Sequence, residues 1–322
     1  MHFIKEGKAT MRYFDLHCDT LVECLSKGKS LLKNDLHVSV EKGDHYAPYI
    51  QCAAIWLPDN VRGAAAEKWF DDHADLFDRE AATGAFTVIR DGSEIEAMEN
   101  GKNGTGMILT VEGSAVLAGK IENVAHLRSR GVRMMTLTWN GSNEVGSGIM
   151  SGDTFGLTPF GVQAVREMEK QGIAVDISHA SENLFYDVVE NTTRPFVASH
   201  SNAKVLCKHP RNLTDEQIKI MCNRDCLIGL NYFQAFLNDD WEKADVEDLY
   251  AHAEHILSLG GADILAMGSD FDGSSMPHGI TGLESMEAVA EVFLRHNMPE
   301  SLVDKIFYEN AASFFKRFDR LA

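Results

Sequence analysis

Short apolar runs, many of them rich in β-branched residues, alternate along this chain with longer stretches whose apolar positions recur at helical spacing. The runs are YFDLHCD (13–19), YIQCAAIWL (49–57), GMILTVEG (106–113), VRMMTLTW (132–139), IAVDISH (173–179), PFVASHS (195–201), CLIGLNYF (226–233) and ILAMGSDF (264–271). They predict strands. The stretches between them predict helices over 63–84, 121–131, 158–172, 181–191, 214–225 and 244–261. Thr158 reads as an N-cap followed by Pro159 at the first helical position, Thr214 and Gln217 as a capping box, and Gly260–Gly261 as a helix stop. Eight alternating β and α units build a parallel sheet and predict an α/β fold closed into a (β/α)8 TIM-type barrel. FTVIRDG (86–92) is a candidate ninth strand, and an open doubly wound sheet is the competing architecture.

A chain of 322 residues accommodates two average domains or one large barrel. No linker, low-complexity segment or break in composition divides it, so residues 1–322 read as a single barrel domain. Residues 1–11 are expected to form a poorly ordered or peripheral extension. The formal net charge of −18, from 48 acidic against 30 basic residues, repels phosphate backbones and anionic membranes, which removes nucleic acid and membrane surfaces as expected partners. No apolar run is long enough to span a bilayer, and neither a secretory signal nor a lipid-anchor tail is readable, so a cytoplasmic location is expected. The six cysteines contain no C-x-x-C pair and are expected to be small buried hydrophobes. Cys222 and Cys226, four apart with no second pair nearby, read as packing rather than as a metal site.

The candidate chemistry lies at the ends of the runs. His17 and Asp19, two apart on a strand, project from one face. Glu112 ends the third run, His179 the fifth, His200 the sixth and Asp270 the eighth. In a barrel those strand ends converge on one mouth, where active sites of this architecture lie. Three histidines and three carboxylates exceed the needs of one tetrahedral zinc and suit two divalent ions. Glu112, with two oxygens, is the expected bridge. His17 and Asp19 would complete one site, His179 and His200 the other. Mixed imidazole and carboxylate ligands favour Zn²⁺, with Mn²⁺, Co²⁺ and Fe²⁺ as alternatives. Two such ions would turn a shared water into a bridging hydroxide at neutral pH, and Asp270 is the candidate general acid/base. That chemistry hydrolyses amides and related bonds.

HCD, VEGS, DISHAS, ASHSNAK, HPRNL and GSDFDG, in this order, resemble the renal-type (membrane) dipeptidase family of the metal-dependent amidohydrolase superfamily. The resemblance runs from residue 13 to about 315. It implies a binuclear zinc barrel that hydrolyses dipeptides and tolerates D-residues at the C-terminal position. Its ligand sets fall on His17, Asp19, Glu112, His179 and His200, and its acid/base on Asp270. It also implies that Arg211 grips the substrate carboxylate, a task suited to a planar guanidinium, and that the protein is a homodimer. The chain departs from the family pattern twice. Trp139 stands where family members often carry a histidine, with Asn140 as a substitute donor. Phe236 stands at an expected tyrosine, with Tyr232 nearby.

Rival readings remain. The same metal pair would serve a hydrolase of N-acyl amino acids, lactones or cyclic amides, and a catalytically silent barrel would act as a binding or scaffold protein. Asp272 reads as a loop or cap residue and Asp15 as a structural one, with a supporting place behind His17 as the alternative. His252 and His255, three apart on a helix, read as a solvated face, and 146–156 as a flexible loop over the barrel mouth.

Overall fold

The computed structural model describes residues 10–101 and 104–321. Of the expected N-terminal extension, residues 1–9 lie outside the described residues, and Met11 packs against the core. Among the described residues nine strands form: β1 Tyr13–Cys18, β2 Tyr49–Trp56, β3 Thr87–Val88, β4 Thr105–Glu112, β5 Val132–Thr136, β6 Ala174–Asp176, β7 Val197–Ala198, β8 Leu227–Leu230 and β9 Leu265–Met267. All pair in parallel. The ring closes because β2 takes β1 on one side and β4 on the other, over the full register Tyr49↔Thr105 to Trp56↔Glu112. That pairing overturns the open sheet and makes the fold a (β/α)8 barrel. FTVIRDG does supply a strand, but β3 stands outside the ring, paired with Gly106 and Met107 of β4 below the point where β5 joins at Leu109.

The local signals act as expected. Thr158 Oγ1 accepts from Gly161 N at the start of the helix Pro159–Gln171, which ends in a left-handed Gly172. Thr214 and Gln217 form a reciprocal capping box on the helix Asp215–Asn223. Asp245 caps Val246–Ser258 in the same way, and a left-handed Gly260 follows that helix. The cysteines are unpaired, and all but the half-buried Cys222 are buried. Among the described residues, no helix is long and apolar enough to cross a membrane.

The N-terminal mouth of the barrel is plugged by the last helix, Asn310–Arg320. Phe314, Phe315 and Phe318 belong to one buried apolar cluster that draws on every ring strand, through Phe14, Ile50, Ile108, Met134, Ala174, Val197, Leu227 and Ala266 among others. Arg133 is fully buried beneath them, and its Nη2 donates to Asp319 at 2.5 Å. With that end sealed by apolar packing, the polar strand ends gather at the other.

Candidate metal centre

Three of the runs leave the sheet early, and those exits aim the chemistry. β6 stops at Asp176, β7 at Ala198 and β9 at Met267, each two or three residues before His179, His200 and Asp270. His179 (φ 69°) and Asp270 (φ 62°) adopt left-handed backbone, a conformation costly for non-glycine residues and concentrated at functional sites. His17 comes from β1, just before its end, and Glu112 from the last residue of β4.

These side chains meet. Glu112 Oε2 lies 3.5 Å from His17 Nε2, while Oε1 lies 2.9 Å from His179 Nε2 and 3.5 Å from His200 Nε2. One carboxylate thus presents a separate oxygen to each histidine set. Asp19 Oδ2 stands 3.6 Å from His17 Nε2, and His17, Asp19 and Asp270 offer ligand atoms within 4.8 Å of one another. The group His17, Glu112 and His200 does the same.

The arrangement calls for cations. Ser199 Oγ gives its hydrogen to Asp176 Oδ2 at 2.6 Å, so at 2.8 Å from His200 Nδ1 it accepts, which leaves His200 Nε2 as a lone pair. Asn140 Oδ1 accepts from His179 Nδ1 at 3.1 Å with the same result. The two Nε2 atoms then face each other at 3.2 Å, with Glu112 Oε1 beside them. Three acceptors meet there with no hydrogen between them. His17 Nε2 and Asp19 Oδ1 are buried without a hydrogen-bond partner. Ligand atoms about 2.1 Å from a common tetrahedral ion stand about 3.4 Å apart, which matches these separations. The donor set therefore fits divalent metal ions.

The electrostatics agree. Burial pushes Asp19 up to about 7, with Glu112 and Asp270 adding to the rise against the pull of His17. Burial raises the Asp270 carboxyl too. Glu112 moves the other way: burial would raise it, but the His17, His179 and His200 imidazoles hold it well below the carboxylate range. Burial, reinforced by the Arg211 charge, lowers His179 to about 4. Burial and His17 lower His200. His179 and His200 are thus held neutral beside an ionised carboxylate, the protonation states that ligate metal. At His17, by contrast, burial is outweighed by Glu112 and Asp19, which raise it well above the usual imidazole value.

Above the centre opens a cleft of about 610 Å³ lined by Asp19, Glu112, Asn140, His179 and Asp270, with Val22, Trp56, Trp139, Phe233 and Phe236 as apolar walls. Trp56 and Trp139 meet edge to face at 5.0 Å. Asn231 Nδ2 donates to Asp270 Oδ2 at 3.1 Å. Arg211 is buried on the far side of His179, where it lines a smaller cavity with Ser201, its Nε and Nη2 unpartnered and its guanidinium 5.3 Å from the Phe236 ring. Burial lowers it to about 10. Of the sequence-predicted residues, His17, Asp19, Glu112, His179, His200 and Asp270 come together, and Asn140 borders the cleft. Tyr232 does not join them. It is fully buried, with its hydroxyl 3.0 Å from that of Tyr13, because the chain turns Phe233 and Phe236 toward the cleft instead.

Sequence reasoning missed Asn231, Ser199, Ser269, Asp176 and the Trp56 wall. A signal was present for the serines, since one stands immediately before a candidate ligand in ASHS and in GSDF. Asp272 is a loop brace, accepting from His37 N at 2.8 Å. His252 is buried rather than solvated: its Nδ1 accepts from Ala203 N at 3.1 Å, and its Nε2 donates to Leu237 O at 3.0 Å. Segment 146–156 is stitched to the strand end behind the site, with Ile149 N donating to His179 O at 2.7 Å and a bridge pairing Gly148 with Ala180.

Over residues 1–322 the chain matches the family described as membrane dipeptidase, peptidase family M19. It is 30% identical over 213 residues to an uncharacterized protein encoded in the pqqA 5′ region of Klebsiella pneumoniae, covering 63% of this chain and 79% of that protein. It is 29% identical over 232 residues to an uncharacterized dipeptidase of Schizosaccharomyces pombe, covering 69% of this chain and 55% of that protein. Among solved structures it resembles a metallopeptidase from Rhodobacter sphaeroides liganded with a phosphinate mimic of the dipeptide L-Ala-D-Ala, with TM-score 0.88, 25% identity and coverage of 96% and 99% of the two chains. It is equally similar to the metallopeptidase dipeptidase AC, with TM-score 0.88, 28% identity and coverage of 96% and 98%.

Proposed function

The chain belongs to the membrane dipeptidase family and is a metallo-dipeptidase; on that premise we propose that it hydrolyses L-Xaa-L-Xaa and L-Xaa-D-Xaa dipeptides with two zinc ions. The observation that carries this reading is Glu112, whose two oxygens face separate imidazole sets. His17, Asp19 and one Glu112 oxygen would hold one ion, and His179, His200 and the other oxygen the second. A pair of divalent cations bound there supplies an acidified water and polarises a carbonyl oxygen.

The chain's own groups supply the rest. Asp270 is the candidate general acid/base: Asn231 holds Oδ2, burial favours the carboxyl's protonated form, and the residue lines the cleft. Arg211 is the candidate grip for the substrate carboxylate, since a buried guanidinium with two unpartnered nitrogens requires an anion. A cleft of about 610 Å³ with aromatic walls suits a small substrate and excludes a long peptide. We further read the enzyme as a homodimer of single-barrel chains in the cytoplasm, where unpaired cysteines stay reduced.

A panel of L,L- and L,D-dipeptides, C-terminally amidated dipeptides, N-acyl amino acids and lactones, given to the zinc-loaded protein, tests the reading. Turnover of free dipeptides is expected, and Arg211→Ala should raise KM by about 30-fold or more for them while changing the amidated ones little. Turnover confined to acyl amino acids or lactones would replace the substrate assignment. No turnover of any member would return the silent barrel.

A further inference from the structure

Two fully buried aspartates lie beneath the centre with matching serine and backbone partners, Asp176 Oδ2 accepting in addition from Thr136 Oγ1 at 2.6 Å. Asp15 on β1 is in register with Met267 of β9, and Asp176 on β6 is in register with Val197 of β7. In each pair, the residue two positions beyond the register partner is a serine, and the next is a site residue: Ser269 then Asp270, Ser199 then His200. Asp15 Oδ1 accepts from Ser269 N at 2.8 Å, and Oδ2 accepts from Ser269 Oγ at 2.6 Å. Asp176 Oδ1 accepts from Ser199 N at 3.0 Å, and Oδ2 from Ser199 Oγ at 2.6 Å. Each Oδ1 also takes the backbone N–H two residues along its own strand, that of His17 at 3.3 Å and that of Ser178, just before His179, at 3.0 Å.

Each carboxylate thus ties together the two strand ends that carry one half of the centre. Asp15 joins the ends bearing His17 and Asp270, and Asp176 joins those bearing His179 and His200. We propose that Asp15 and Asp176 are twin positioning residues, each setting the affinity of one of the two metal sites and leaving the other intact. The inference rests on the two-ion reading above. Its physical basis is that a buried carboxylate accepting several hydrogen bonds on defined atoms fixes backbone where the β-ladder has already ended, and orientation of ligands by outer groups is worth about 10- to 100-fold in metal affinity. A carboxylate that served only general stability would weaken both sites together or neither.

The test compares wild type, Asp15→Asn and Asp176→Asn, each loaded with zinc, dialysed against a graded series of chelators and read by metal content and X-ray absorption. Wild type should hold two ions. Asp15→Asn should release one ion about 10- to 100-fold more readily and keep an ion with two imidazole ligands, His179 and His200. Asp176→Asn should keep the complementary ion, with a single imidazole from His17. Ser269→Ala and Ser199→Ala, which remove the hydroxyl link to each aspartate and, in the second, the partner of His200 Nδ1 as well, should shift the same ions in the same direction even where an aspartate variant fails to fold. Equal loss of both ions in either serine variant, or wild-type retention of both, overturns the proposal. A wild type that holds fewer than two ions overturns the two-ion reading and the proposal with it.

Discussion

Glu112 remains ionised in a buried setting because three imidazoles surround it, and the same crowding sets tight limits on its neighbours. Gly273 shows this most directly. A Cβ built there would stand 1.9 Å from Asp19 Oδ2 and 2.7 Å from Asp270 Oδ1, so any side chain would displace both carboxylates. Gly273→Ala is expected to lower kcat/KM by about 100-fold, the scale of an ångström-sized misplacement in a catalytic site. Zinc affinity should fall with it, while the circular dichroism spectrum stays that of the wild type. Unchanged kinetics would show that Asp19 and Asp270 can move without consequence. The glycine was legible as part of GSDFDG, but its reason was not: the carboxylate that forbids a side chain belongs to β1's exit, more than 250 residues earlier in the chain.

Among the elements, the helix Val246–Ser258 carries a consequence for acid stability. His252 lies on its buried face, holding the segment after β7 through Ala203 N and the segment after β8 through Leu237 O. Desolvation, outweighing the bond to Leu237 O, lowers its pKa to about 4. The unfolded chain binds a proton from about pH 6.5 downward, whereas the folded one does not until about pH 4. The stability that neutral His252 contributes is therefore complete above pH 6.5 and is lost as pH falls through that window. Between pH 7 and pH 5 the loss amounts to about 2 kcal/mol. Urea unfolding at the two pH values should show His252→Gln with a drop smaller than wild type by that amount, and equal drops would remove the assignment. Helical spacing alone puts His252 and His255 on one face; it does not show that the loops returning from β7 and β8 cover His252.

At the scale of the whole molecule, the barrel concentrates Asp19, Glu112 and Asp270 at one mouth of a chain that already carries a net charge of −18. Bound cations relieve that repulsion, and a ligand held only by the folded state stabilises it by mass action, about 4 kcal/mol for an ion present at a thousand times its Kd. Exhaustive chelation is expected to lower the calorimetric midpoint and abolish dipeptide hydrolysis, and zinc added back should restore both. Identical midpoints with and without chelator would mean that the folded state gains nothing from the ions.

Eight strand segments, the caps at Thr158 and Thr214 and the residue types gathered at the strand ends follow from the sequence alone, because periodicity and capping are decided within a few residues of the chain. The tertiary structure alone decided that β2 meets β4 to close the ring, that Tyr232 turns to Tyr13 rather than to the cleft, and that Asp15 and Asp176 brace serines just past the ends of neighbouring strands. Those outcomes depend on which surfaces the closed barrel packs against one another, and no local pattern records a partner as far along the chain as Ser269 is from Asp15.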